Sequence, residues 1–240
     1  MKTNGKEPVT CVAFGAHPDD VELSCAGLLI KLKKLSVKTV VVDLTRAELS
    51  TNGNPQTREL EARKAAEIMG INHRYNLEIS DGHIENTHEN RLKIIGLIRK
   101  LRPRFCVLPY WKDRHPDHVA TSKLVKDALF YAGLIKIETG EEAFRPEFVV
   151  YYMMHTPFKP TFVLDISDEY EQKEKAIDAY ASQFHRETKT NRDSFINRPE
   201  FLEMIRTRAL YYGYQINCRY GEPYFYNGLL KINNPLMLLM

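Results

Sequence analysis

The stretch Gly15-Ala16-His17-Pro18-Asp19-Asp20 lies between two apolar segments of the chain. The run Val9 to Phe14 before it predicts a buried strand, and the stretch Val21 to Leu35 after it predicts a helix. One histidine and two carboxylates therefore stand at a predicted junction of strand and helix. In open α/β sheets, ligands bind beyond the carboxyl ends of the strands. Zinc uses His and carboxylate ligands together in hydrolytic sites, so the stretch predicts part of a metal site.

Composition places the chain among ordinary globular proteins. Its 240 residues are 43% hydrophobic and 27% charged, which predicts one domain over residues 1–240. The net charge of +3 argues against a nucleic-acid partner, which requires a concentrated basic face. The polar segment Met1 to Pro8 has no hydrophobic signal core, and no apolar run reaches the length of a membrane span. We therefore expect a soluble, cytoplasmic protein.

Apolar and amphipathic segments alternate as far as residue 132. The predicted strands are Val9–Phe14, Val37–Asp43, His73–Leu77 and Phe105–Leu108. The predicted helices are Asp20–Leu35, Thr57–Met69, Glu89–Leu101 and Val119–Ala132. Crossovers of this length favour a Rossmann-like α/β fold of three layers, with a mostly parallel sheet and helices on both faces.

The regular alternation of predicted strands and helices ends before Gly140. Two strands, two helices and an irregular tail from Tyr214 are predicted after it. The segments are Phe148–Met154, Thr161–Ile166, Glu169–Phe184 and Pro199–Tyr212. The apolar end, Pro235 to Met240, is expected to pack on the domain or on a neighbouring subunit.

A second polar cluster follows the fourth predicted strand and contains Arg114-His115-Pro116-Asp117-His118. The first and fourth strands can be neighbours at the switch point of a doubly wound sheet, which would bring the two clusters together. The i, i+3 spacing lets His17 and Asp20 face one point, and His118 could complete a triad. Two imidazoles and one carboxylate leave a position for water, as in catalytic zinc sites. Fe(II) or Co(II) would fit the same ligands.

The other polar residues of the two clusters have candidate catalytic roles. Asp19 could accept a proton from the attacking water, and His115 could donate to an oxyanion. Asp117 would then orient His115 and keep it protonated. Alone, either aspartate at the first turn could be only a helix cap. The occurrence of both clusters at strand ends favours a metal site over a simple helix cap. The remaining histidines are predicted to lie on the surface or in loops; they are His73, His83, His88 and His185.

With these motifs named, the sequence resembles the PIG-L-type zinc-dependent N-acetylglucosamine deacetylases, and most of all the bacillithiol-biosynthesis deacetylases. The resemblance runs over nearly the whole chain. It rests on Phe14 to Glu22, Asp43 to Gly53 with Thr57-Arg58-Glu59, Arg114 to His118, Lys175 to Phe184, and Arg219 to Glu222. The loop Leu49-Ser50-Thr51-Asn52-Gly53 indicates the bacillithiol branch.

The resemblance implies a set of roles and a substrate. Zinc would be bound by His17, Asp20 and His118. Asp19 would be the general base, His115 the charged oxyanion stabiliser with Asp117 behind it, and Arg58 the arginine that holds the substrate. The implied substrate is N-acetylglucosaminyl malate, and the implied assembly is a homo-oligomer, often a hexamer. A mobile tyrosine is also implied, for which Tyr151, Tyr152 and Tyr220 are the candidates.

Three alternatives remain at this stage. One is a deacetylase of another N-acetylglucosamine compound, such as a chitooligosaccharide or a glycolipid headgroup. Another is a non-catalytic carbohydrate-binding protein with a vestigial metal site, against which the intact Asp19 and His115 argue. The last is a nucleotide-binding module, but the first turn is Gly-Ala-His-Pro rather than a glycine-rich phosphate loop.

Overall fold

The computed structural model describes residues 11–184 and 192–231, which form a seven-stranded sheet and the helices that flank it. The strands are β1 (Cys11–Gly15), β2 (Thr39–Asp43), β3 (His73–Asn76), β4 (Phe105–Pro109), β5 (Phe148–Tyr152), β6 (Phe162–Asp165) and β7 (Gly221–Tyr226). The helices are α1 (Asp20–Lys34), α2 (Pro55–Met69), α3 (His88–Leu101), α4 (Pro116–Ala132), α5 (Tyr170–Asp178), α6 (Ala181–Phe184) and α7 (Pro199–Gln215).

The sheet has the strand order β3-β2-β1-β4-β5-β7-β6. The first five strands run parallel, and β7 pairs antiparallel with both β5 and β6. In β1, Val12 pairs with Val40 on one side and with Cys106 on the other. The chain therefore winds outward in both directions from the β1–β4 boundary, which is the switch point where ligands bind. The predicted Rossmann-like α/β fold is confirmed.

The core lies on both faces of β1. Successive strand residues point to opposite faces, so Val12 and Phe14 pack in one cluster with α3 and α4, while Cys11 and Ala13 pack in another with α1. Every residue of β1 is buried. A parallel strand covered on both sides is apolar throughout rather than alternating, which explains the run of small and apolar side chains there.

The predicted irregular tail is wrong where β7 forms. Glu222 and Pro223 interrupt the apolar alternation, and proline is uncommon inside sheets. The Glu222 carboxylate is nevertheless buried, because it accepts hydrogen bonds from the backbone N–H groups of Gly27 and Leu28 and from Lys173 Nζ at 2.7–2.9 Å. Those backbone groups are free because α1 is kinked at Cys25, which has a non-helical φ of −135°.

One further expectation changes. The two strands predicted after Gly140 form as β5 and β6, and β7 lies between them in the sheet. The single helix predicted over Glu169–Phe184 is two helices, α5 and α6. The end segment Pro235–Met240 and His185 lie outside the described residues, whereas His73, His83 and His88 are exposed as predicted. Among the helices of the described ranges, none is long and apolar enough to cross a membrane.

Candidate metal centre and active site

Asp20 closes the turn between β1 and α1. Its Oδ2 accepts hydrogen bonds from the backbone N–H groups of Ala16 and His17, at 2.8 and 3.0 Å. Its Oδ1 lies 3.2 Å from Nε2 of His118. Burial opposes ionisation of the carboxyl, but the neighbouring imidazoles and the backbone donors hold the pKa of Asp20 well below its usual range. Asp20 is therefore an ionised carboxylate fixed at the switch point.

The second cluster is organised by the start of α4. His115 is the N-cap residue in an extended conformation, and Pro116 occupies the first helical position. His118 follows in the first turn and is buried. Its Nδ1 lies 3.0 Å from Oδ1 of Asp113, which also accepts the backbone N–H of His115 at 2.9 Å. The helix start thus aims His118 Nε2 at Asp20.

The donor atoms of His17, Asp20 and His118 lie within 4.8 Å of one another. The ring nitrogens that face away from Asp20 contact carboxylates: His118 contacts Asp113, and His17 Nε2 lies 3.0 Å from Asp81 Oδ1. Histidines that bind metals commonly have this carboxylate support. Two imidazoles and a carboxylate in this arrangement fit a divalent cation, so the donor set agrees with the predicted ligands.

Protons occupy these ligands when no metal is bound. Burial disfavours the charged rings, but the carboxylates of Asp117, Asp81 and Asp20 outweigh it and raise the pKa of His17 to about 10. In the same way Asp20 and Asp113 raise the pKa of His118 to about 9. A cation that binds here must displace these protons.

Asp19 has a strained backbone beside the candidate metal ligands. Its φ of 128° is rare for an L-residue and is tolerated only where surrounding contacts impose it. One such contact is the Nη2 of Arg58, which donates to Oδ2 of Asp19 at 2.9 Å. Burial and the charge of Asp20 raise the pKa of Asp19, the Arg58 cation lowers it, and the result is a pKa of about 6.

Arg58 is almost fully buried on α2. Besides Asp19, its Nη2 donates to the carbonyl oxygen of Pro18, and its guanidinium lies over the ring of Tyr180 at 5.2 Å. Its Nε and Nη1 have no hydrogen-bond partner among the described residues. Arg58 therefore supports the Asp19 turn and retains two unpaired donors at the candidate site. Its predicted role as a substrate ligand stays a prediction.

The predicted orientation of His115 by the Asp117 side chain stays a prediction, because the hydrogen bonds of the two side chains have other partners. His115 Nδ1 accepts the backbone N–H of Asp117 at 3.2 Å, the bond expected of an N-cap side chain. The Asp117 carboxylate instead lies 3.2 Å from His17 Nε2 and accepts the N–H of Gly82 at 3.0 Å. Burial and the charges of His118 and His17 lower the pKa of His115. With a backbone N–H at Nδ1, a neutral His115 ring carries its proton on Nε2.

A cavity of about 400 Å³ brings these residues together. Its walls include the predicted residues His17, Asp19, Asp20, Arg58, His115, Asp117 and His118, the loop residues Leu49, Ser50 and Thr51, and Asp81, Met154, His155, Phe195 and Phe201. Among the described residues of this lining there is no tyrosine, so none of Tyr151, Tyr152 and Tyr220 reaches the cavity. The hydroxyl of Tyr152 instead donates to the carbonyl oxygen of Phe14.

Three functional candidates escaped the sequence analysis. Asp81 lies in the loop after β3 and is followed by Gly82, a pair of residues that by itself indicates only a turn. Asp113 lies inside the second cluster, and its position five residues before His118 is the one sequence signal for its role. His155 follows β5, and its ring stacks on that of His118 with centroids 5.6 Å apart. The carboxyl ends of β3 and β5, not only of β1 and β4, therefore contribute to the site.

A Rossmann-like sheet that carries two histidines and a carboxylate at its switch point defines a class, the metal-dependent α/β hydrolases. Comparison with known proteins identifies the family. Residues 12–129 match the family model PIG-L, described as GlcNAc-PI de-N-acetylase. The chain is 30% identical over 234 residues to diacetylchitobiose deacetylase of Thermococcus kodakarensis, and the match covers 91% of this chain and 82% of the relative.

The chain is similar to two more of the known proteins. A probable N-acetyl-alpha-D-glucosaminyl L-malate deacetylase 2 of Bacillus anthracis is 30% identical over 185 residues, or 70% of this chain and 78% of that one. The crystal structure of the conserved protein TT1542 from Thermus thermophilus superposes with a TM-score of 0.85 at 35% identity, over 94% of this chain and 98% of that one. The chain belongs to the PIG-L family. It is a deacetylase, a hydrolase that depends on a metal.

Proposed function

We propose that this deacetylase removes the N-acetyl group from an N-acetylglucosamine conjugate, with zinc as its metal. The observation that carries the proposal is the position of Asp19 in the same cavity as the donor set of His17, Asp20 and His118. A buried carboxylate whose pKa lies near 6 is suited to general-base work at neutral pH, because it is mostly ionised yet still basic enough to hold a proton.

The cation held by His17, Asp20 and His118 supplies Lewis-acid chemistry and lowers the pKa of water. Asp19 accepts the proton of the attacking water and later returns it to the leaving amine. His115 donates a hydrogen bond from Nε2 to the oxyanion of the tetrahedral intermediate, because its Nδ1 is already engaged by a backbone N–H. One such donor is typically worth about 3 kcal/mol to the transition state.

Arg58 positions Asp19 and the substrate in this proposal. Its bond to Asp19 Oδ2 fixes the base, and its guanidinium, which lines the cavity, is the proposed donor to a sugar hydroxyl. Asp81 and Asp113 keep the two metal-binding imidazoles in their tautomers through contacts of 3.0 Å. The side chains of Asp19, His17 and His118 are therefore each held in orientation by another residue.

For the aglycone, we propose malate, which would place the enzyme in bacillithiol biosynthesis. The resemblance of the Leu49–Gly53 loop and the Bacillus anthracis relative support this choice. The second candidate is another sugar, which the Thermococcus kodakarensis relative supports. An adjoining cavity of about 630 Å³ shares Met154, His155, Phe195 and Phe201 with the first and offers aromatic walls for such a ring.

The test is a panel of conjugates assayed with the purified protein and one equivalent of zinc. N-acetylglucosaminyl malate, diacetylchitobiose and an N-acetylglucosaminyl lipid headgroup are compared by the free amine released. We expect the highest kcat/KM for the malate conjugate and no release by metal-free protein. Faster release from diacetylchitobiose would replace the malate proposal, and no release from any conjugate would reject the substrate class.

We further propose that the protein works as a cytoplasmic homo-oligomer, with a hexamer as the expected state. Phe130, Leu134 and Ile135 at the end of α4 support association, because they are apolar and exposed, with Ile135 88% accessible. Light scattering coupled to size exclusion measures the mass directly. A mass of 27.9 kDa, that of one chain, would reject the oligomer.

A further inference from the structure

His17 has acidic neighbours on both of its ring nitrogens. Nδ1 lies 3.7 Å from Asp20 Oδ2, on the side of the candidate metal ligands. Nε2 lies 3.0 Å from Asp81 Oδ1 and 3.2 Å from Asp117 Oδ2. The N–H at Nε2 can donate a full hydrogen bond to only one carboxylate. One carboxylate is enough to orient His17 as a metal ligand, so the second one is not explained by that role.

His115 completes a second set of donors on this outer side. Its ring centroid is 5.0 Å from that of His17, and ligand atoms of His17, His115 and Asp117 lie within 4.8 Å of one another. Because His115 Nδ1 accepts a backbone N–H, Nε2 carries the proton of the neutral ring, and this proton must move before a cation can bind there. At Asp117, the contact with His17 and the hydrogen bond from the N–H of Gly82 both involve Oδ2.

The cluster on the other side of the site is different. Asp113, His118 and His155 are equally close together, but both oxygens of Asp113 are occupied. Oδ1 contacts His118 Nδ1 and the N–H of His115, and Oδ2 accepts the N–H groups of His155 and Thr156. That carboxylate has no lone pair left for a cation and serves only as a support. The cluster of His17, His115 and Asp117 therefore differs from the cluster of Asp113, His118 and His155, in which the carboxylate only supports a metal ligand.

We propose that His115, Asp117 and Nε2 of His17 form a second site for a divalent transition-metal cation, filled only when the metal is in excess. Asp81 lies beside it and adds a second negative charge. Imidazole and carboxylate ligands suit Zn²⁺ best among the common divalent cations. When the cation binds, the Nε2 proton of His17 passes to solvent, and the ring becomes an imidazolate that bridges the two positions. His115 keeps its proton but moves it from Nε2 to Nδ1, which breaks the hydrogen bond from the backbone N–H of Asp117.

Occupation of the second site has a consequence for the enzyme. His115 gives up the lone pair of Nε2 to the cation, so it can no longer donate a hydrogen bond to an oxyanion. The second site is therefore inhibitory, and activity should rise with the first equivalent of metal and fall with the second. Metal loading itself is independent of the proposed substrate, since it is measured without one.

The test is metal stoichiometry. Equilibrium dialysis against increasing Zn²⁺, with elemental analysis, should give one cation per chain at low free zinc and two at high free zinc. Crystals soaked in excess zinc should show two anomalous-difference peaks, one on each side of His17. Saturation at one cation per chain, or a single peak, would overturn the proposal without reference to activity or to any variant.

Variants assign the ligands of the second site. His115→Ala and Asp117→Asn should each bind one cation and lose the second, whereas the matched variant His155→Ala should still bind two. Circular dichroism checks that each variant is folded. Retention of the second cation by the double variant H115A/D117N would contradict the assignment. If no conjugate is deacetylated while two cations bind, the proposed function fails and this inference stands.

Discussion

Arg58 donates a hydrogen bond from Nη2 to Oδ2 of Asp19 across 2.9 Å, and the two side chains are only 2% and 9% exposed. The pair sits beside a second carboxylate, Asp20, which would otherwise drive the pKa of Asp19 further up. Burial raises the pKa of Asp19 and the guanidinium lowers it, so the arginine decides where the base titrates. The catalytic pH range of this enzyme should therefore depend on Arg58.

Replacement of Arg58 by Met should shift the acid limb of the pH profile of kcat/KM. The base acts when it is ionised, so activity falls as the pH drops through its pKa, which is about 6 in the wild type. Loss of the cation removes the influence that lowers this pKa. The limb should move upward by about 1–3 pH units. The measurement is the rate of amine release from pH 5 to 9.

The same variant separates two roles of Arg58. If the arginine only binds substrate, KM rises and the acid limb stays near pH 6, which would contradict the electrostatic role. If it also tunes the base, the variant recovers most of its lost kcat above pH 8. Arg63→Met, on the exposed face of α2, is the matched control and should leave the profile unchanged.

Asp19→Asn should keep the metal and lose turnover. Asn is nearly isosteric with Asp and is among the residues that best tolerate positive φ, so the turn at φ 128° should survive. The amide cannot accept a proton from water, which should lower kcat by about 10²–10⁴-fold. Elemental analysis should find the zinc content of the wild type. Near-normal kcat in this variant would remove Asp19 from the proposed mechanism.

Metal binding should release protons. His17 and His118 have pKa values raised to about 10 and about 9, so both rings are charged in the metal-free protein at pH 7. Both must be neutral to bind a cation, and about two protons should leave with the first equivalent. Affinity should therefore strengthen as the pH rises toward these pKa values and weaken as it falls.

Calorimetry in buffers of different ionisation enthalpy counts the released protons. A dependence of the measured enthalpy on the buffer, with a slope close to two, is the expected result. A slope of zero would mean that the two rings are neutral before metal arrives. His118→Ala should bind the first cation too weakly for the titration to be resolved, which confirms that the signal belongs to this site.

The candidate site was visible in the sequence because its parts are local. His17 to Asp20 and His115 to His118 each span one turn of chain at a strand end, and strand adjacency at the switch point joins them. The contact of Asp117 with His17 was not predictable, because it joins residues 100 positions apart and depends on the N-cap geometry of His115. Asp81 was missed for the same reason.

The parallel half of the sheet was equally visible, since buried parallel strands are continuous apolar runs. β7 was not, because Glu222 is a charged residue in a central strand. Its carboxylate can be buried because it accepts hydrogen bonds from two N–H groups of α1, which the kink at Cys25 frees, and from Lys173 and Tyr224. Local sequence does not report a partner that lies nearly 200 residues away.

Arg74 should be essential for stability, although it lies on the edge strand β3. It binds both oxygens of Asp43, at 2.6 and 2.8 Å, and Oε1 of Glu22 at 2.5 Å. Both carboxylates are buried, so Arg74→Met would leave two charges without a cation. The free energy of unfolding at pH 7, measured by urea denaturation, should fall by about 3–5 kcal/mol. Arg63→Met, which removes an exposed i, i+4 pair with Glu59, should cost about 0.5 kcal/mol or less. Equal losses in the two variants would contradict the burial argument, because only the partners of Arg74 are shielded from water.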